Sequence, residues 1–119
     1  MRHAVIPAVL AAALTAAAAP ASADGTVIEG RSAQALRCAA YIGMAGQYGF
    51  TDGRLSAGDR AVMAGWSVAV LEAWVPLDPA RRLEAYSAVL VELGSQRQTQ
   101  ALIRRHSEWC LRAFTPGLL

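Results

Sequence analysis

Few side chains in this sequence are of a type that does chemistry. If residues 1–23 are set aside as argued below, His106 is the only histidine, and Cys38 and Cys110 are the only cysteines. The two cysteines stand 72 positions apart. Redox and metal pairs are spaced closely, as in Cys-x-x-Cys, so that one exchanging bond or one ion reaches both sulfurs. An even, distant pair in an exported chain points instead to a structural disulfide. Closing a loop of that length is worth about 4 kcal/mol by chain-entropy arithmetic.

His106 falls at the centre of the apolar face of the last predicted helix. An imidazole there is either a neutral, buried group hydrogen-bonded to a tyrosine, serine or backbone carbonyl, or a ligand or proton carrier. With no second histidine the first reading is preferred. A haem held between His106 and a methionine is disfavoured on azimuth. At about 100° per residue, Met44 lies about 120° round the helix from Cys38, on the flank of Arg37. Met63 lies beside Arg60, and no Cys-x-x-Cys-His is present. Asp52-Gly53-Arg54-Leu55-Ser56 with Asp59 matches half of a calcium loop. Tyr48 and Phe50 stand where its first acidic ligands belong, and calcium needs about six to eight oxygens. No nucleophile beside a base, carboxylate pair or phosphate loop is recognisable, so neither catalysis, metal nor cofactor is expected.

What remains is surface chemistry. Arg104, Arg105 and Arg112 share the polar face of the last helix with Arg97 and Glu108. Arg81 and Arg82 occupy the first turn of the preceding helix, where the helix dipole disfavours cations by about 0.3–1 kcal/mol. Trp74 is a large aromatic near the strip formed by Arg60 and Ser67. These six residues (Arg81, Arg82, Arg104, Arg105, Arg112 and Trp74) are the candidates for contact with a partner.

The composition sets the frame for these groups. Of 119 residues, 55% are hydrophobic and 17% charged, which excludes a disordered chain. There is no lysine, and the net charge is +2. That balance argues against a nucleic-acid binder, whose domain pI exceeds about 9 with clustered basic residues. Met1-Arg2-His3, an uncharged apolar stretch over 4–19, Pro20 and Ala21-Ser22-Ala23 form the three parts of an export signal, with cleavage expected after Ala23. The apolar stretch is shorter than the roughly 20 residues of a membrane span and contains Pro7. Residues 24–119 then form one domain, periplasmic or secreted, that is not membrane-spanning after processing.

Four helices must position the candidates. Residues 24–31 read as a flexible leader without strand alternation. Ser32 caps a first helix over 33–48, stopped by Gly49, with Ala35, Ala39 and Gly43 as a stripe for close helix packing. Ser56 and Asp59 form a capping box for a second helix over 57–74 that is apolar almost all round; such a helix is expected to be the most buried of a bundle. Asp78-Pro79 starts a third helix, ending at Leu93 before Gly94, with Leu83, Tyr86, Leu90 and Leu93 as its core face and Arg81, Glu84, Ala88 and Glu92 outside. Ser95 caps a fourth, ending near Phe114, with Leu102, His106, Trp109, Cys110 and Ala113 inward.

The expected fold is all-α, a small up-down-up-down four-helix bundle. Antiparallel order places Cys38, near the start of the first helix, level with Cys110, near the end of the last. The loop-and-cysteine layout, with Cys38-Ala39-Ala40-Tyr41-Ile42-Gly43, is similar to that of small exported helical immunity proteins; six residues carry the resemblance and identify no family. The functional expectation is an exported helical protein acting by contact with an envelope or secreted protein, as an accessory, inhibitor, immunity or chaperone-like module. The alternative is a small-ligand or haem bundle built around His106.

Overall fold

A computed structural model describes residues 21–23 and 26–115. The expected signal lies outside these residues except for Ala21–Ala23. That segment forms a strand, β1, paired antiparallel with β2 (Thr26–Ile28) and lying against the third helix. The leader is therefore ordered over β2, contrary to the sequence reading. Ile28, the large aliphatic residue at its end, is 5% exposed and belongs to the core.

Four helices follow: α1 (Gly30–Thr51), α2 (Ala57–Trp74), α3 (Pro79–Glu92) and α4 (Gln96–Phe114). Their starts follow local chemistry. Ser56 Oγ accepts from the Asp59 amide while the Asp59 carboxylate accepts from the Ser56 amide. Asp78 accepts from the Arg81 amide, with Pro79 in the first turn. Ser95 and Gln98 repeat the reciprocal cap. Gly94 sits at φ 78°, a left-handed conformation that breaks α3 from α4. The third and fourth helices are thus separate, as expected.

α1 is longer than predicted at both ends. Gly49 does not stop it, because Leu55 folds back over that glycine: an added Cβ would lie 2.5 Å from Leu55 Cδ1. The chain turns only beyond Asp52, with Gly53 at φ 76°.

α1 is the hub of the bundle. It packs most extensively on α2, then on α4, then on α3. Ala35, Leu36, Ala39 and Ala40 are fully buried. The small-residue stripe admits α2 and α3 closely: a Cβ on Gly43 would sit 3.3 Å from Ser67 Oγ of α2 and 2.6 Å from Tyr86 Oη of α3. The Cys38–Cys110 disulfide ties α1 to α4, with Cα atoms 5.4 Å apart. Both cysteines belong to the buried core, which also holds Leu36 and Phe114.

Three expectations about faces are corrected. First, α2 is not the most buried helix: only Ser67 and Val70 are buried in it, whereas α1 buries ten of its 22 residues. Secondly, the Arg60–Ser67 strip is not wet. It faces α1, where Ser67 donates to the Ala39 carbonyl at 2.7 Å and Arg60 lies over the Phe50 ring at 4.1 Å. A single hydroxyl that finds a carbonyl acceptor can be buried at little net cost, and its small size lets the backbones approach. Thirdly, the predicted core face of α3 holds only in part: Tyr86 and Leu90 pack against the core, but Leu83 does not. Ala85 and Val89 are the residues fully buried, Leu93 is buried too, and Leu83 is 65% exposed.

Candidate functional site

His106 projects from α4 toward α1 and stacks on Tyr41, with ring centroids 5.5 Å apart and planes 15° from parallel. The expected hydrogen bond to a tyrosine, serine or carbonyl is replaced by this face-to-face contact. Tyr41 is itself buried, and burial pushes its phenol above the ordinary value of 10.0 while nearby Arg37 pulls it back. Met44 does not lie on a wet flank but packs against the core, and Met63 rests on Gly46. The shallow groove between α3 and α4, about 390 Å³ and open to one side, is lined by Glu92, Leu93, Gln98, Ala101, Leu102 and Arg105, without His106.

The acidic loop is occupied by protein groups. Asp52 caps α1 and pairs with Arg54 at 3.3 Å, and Asp59 serves the α2 cap. Among the described residues no cluster of three or more histidine, cysteine, aspartate or glutamate side chains could hold a metal.

The six contact candidates are not brought together on one surface. Arg104, Arg105 and Arg112 are exposed on α4, where Arg112 pairs with Glu108 at 2.6 Å. So exposed an i, i+4 pair contributes about 0.3–0.5 kcal/mol. Arg82 turns inward and donates to the Leu77 carbonyl at 2.6 Å, so it straps the α2–α3 turn. Arg81 is exposed and engaged in an interaction of its own.

Trp74 is half-buried at one end of the bundle. It meets Phe114 edge-on at 5.3 Å, and Trp109 also meets Phe114 edge-on, at 5.9 Å. Arg31 closes this corner. Its guanidinium lies 4.6 Å from the Phe114 centroid and 5.4 Å from that of Trp74, and it donates to the Ala113 carbonyl at 2.9 Å. A cation is favoured there by the negative end of α4 and by the two ring faces. Nearby, Trp66 donates its indole N–H to Thr115 at 2.8 Å. Sequence reasoning missed Arg31 because it placed the residue in the leader. The Trp74 Nε1 and Arg82 Nε atoms are buried without an acceptor.

The surface that the sequence did not single out is the outer side of α2. Ala57, Gly58, Ala61, Val62, Gly65, Val68, Glu72 and Ala73 are all exposed there. Val62 is 73% and Val68 54% exposed. A Cβ added to Gly65 would meet nothing within 4 Å. The signal for it was present: an apolar helix with one narrow polar strip has two faces able to pack, and only the neighbour's shape decides between them.

No single helix among the described residues is long and apolar enough to cross a membrane, and the buried disulfide is compatible with an oxidising compartment. Neither a known family model, nor a curated protein, nor a solved structure matches the chain.

Proposed function

We propose that the chain is an exported helical module that acts by binding protein, as an accessory, inhibitor, immunity or chaperone-like subunit in the envelope or outside the cell. One observation carries this reading: α2 turns its polar strip to the core and leaves a long, nearly uncharged face in solvent. Apolar surface kept exposed along a whole helix, rather than as scattered single residues, is the mark of a contact face. The α4 arginines Arg104 and Arg105 lie on a different helix and supply at most peripheral steering.

Residues 1–23 are the address, and the disulfide between α1 and α4 fits the oxidising destination. Cleavage after Ala23 removes β1 and releases its contact with α3.

The test is site-specific photo-crosslinking in the producing cell. A photoreactive residue at Val62 is expected to give a discrete adduct, and one at Gln96, exposed on α4, is expected to give none. Equal yields from the two positions, or no adduct from either, would remove the basis of the reading.

A further inference from the structure

The residues that end the expected export signal are held by the folded chain. Ala21, Ser22 and Ala23 form β1, and each is paired with a residue of β2: Ala21 with Ile28, Ser22 with Val27 and Ala23 with Thr26. On another side β1 lies against α3. β2 is in turn fixed at its end by Ile28, which is buried in the core. Two short strands do not stay paired alone, since an isolated hairpin is marginal in water. The contact with α3 and the anchor at Ile28 supply what the ladder lacks. β1 is therefore held only once α3 is folded.

A peptidase that removes a leader must draw the same three residues into its own cleft, because it reads the small ones beside the bond it cuts. A segment already paired and packed is cut only in the fraction of molecules in which it has detached. The two placements exclude each other: β1 cannot lie on β2 and α3 and in a catalytic cleft at once.

We infer that folding of this chain closes its own processing site. Before α3 docks, the peptide bond after Ala23 is open to hydrolysis. Water then supplies the hydroxyl of the new Ala23 carboxyl group and a proton to the amine of the released chain. After α3 docks, β1 is withheld and the bond survives. Processing thus precedes the docking of α3, and a chain that folds first keeps its leader. This rests on the reading of residues 1–23 as an export signal. Chain order favours the cut, because α3 begins only at Pro79. The disulfide is not the latch: it joins α1 to α4, and neither strand nor α3 carries a cysteine.

The test uses the full-length chain, refolded with its disulfide in detergent micelles and incubated with purified signal peptidase. Release of residues 24–119 is followed by intact mass. The wild-type protein is expected to be cut slowly. Val89→Pro breaks α3 at a buried position remote from the cut, and is expected to be cut faster by about tenfold or more. Thr26→Pro takes an amide out of β2 and fixes its φ. It is expected to be cut faster by a similar factor, with an unchanged far-ultraviolet circular dichroism spectrum. A wild-type protein cut as fast as Val89→Pro overturns the inference and leaves the export reading intact. A Thr26→Pro protein with intact helices that is cut no faster than wild type also overturns it, since the protection then lies outside the strand pair. If none of the three proteins is cut after Ala23, the export reading falls and takes the inference with it.

Discussion

α1 and α2 lie side by side and are both rich in alanine and glycine, yet they spend their apolar surface in opposite ways. α1 carries Arg31, Arg37 and several polar residues, but it is surrounded on three sides. α2 is more uniformly apolar and touches the bundle along one strip. Burial here follows shape rather than hydrophobicity. Alanine and glycine repeated along α1 let neighbours approach from several directions, while α2 needs only its serine side to complete the contact. The apolar side of α2 is therefore surplus to folding.

The two helices also differ in how they are held, and breaking that difference gives the largest effect. α1 is bonded covalently to α4, whereas the long contact of α1 with α2 is non-covalent. Replacing both Cys38 and Cys110 by alanine is expected to lower unfolding stability by about 4 kcal/mol. Urea denaturation of the two proteins checks this.

Glycine sharpens the comparison further, because the same substitution should have opposite signs in the two helices. Gly43→Ala in α1 drives a Cβ to 2.6 Å from Tyr86 Oη and is expected to cost about 1–3 kcal/mol. Tyr86→Phe in the same chain should recover a large part of the loss, which a double-mutant cycle reads directly. Gly65→Ala in α2 meets open space and is expected to stabilise the chain by about 1 kcal/mol. Thermal unfolding checks that gain.

The smallest effect is one of pH. Burial raises the phenols of Tyr86 and Tyr41 above 10.0, with Arg37 partly opposing it at Tyr41. The folded state therefore holds those protons more tightly than the unfolded state. Their contribution is complete below the unfolded pKa and is lost as pH rises beyond it. The urea midpoint should fall from about pH 10 upward, where unfolded tyrosine ionises, and less steeply in Tyr86→Phe. An equal fall in both proteins would show that Tyr86 is not the group responsible.

What was legible in the sequence was local. Ser56 with Asp59, Asp78 with Pro79, and Ser95 with Gln98 mark helix starts, because the atoms that satisfy the end amides lie within one turn. The disulfide was legible too, since antiparallel helices bring its two positions level. Faces were harder to read. α2 is apolar on most sides, so its pattern has no phase to read, and the inward turn of Ser67 depends on the Ala39 carbonyl of another helix. Leu83 looked like core by spacing, but Ala85 and Val89 are the residues of α3 that become fully buried. Arg31 was hidden for the same reason, because its partners Trp74, Phe114 and Ala113 are remote in sequence.

The single sulfur bond also orders events during biosynthesis. Cys38 emerges early and waits until Cys110, 72 positions later and in α4, has been made. With no other cysteine to join, the chain has no wrong partner within itself and no shuffling to undo. A free thiol on this polypeptide thus reports an unfinished molecule, and its disappearance marks the moment when the first and last helices have met.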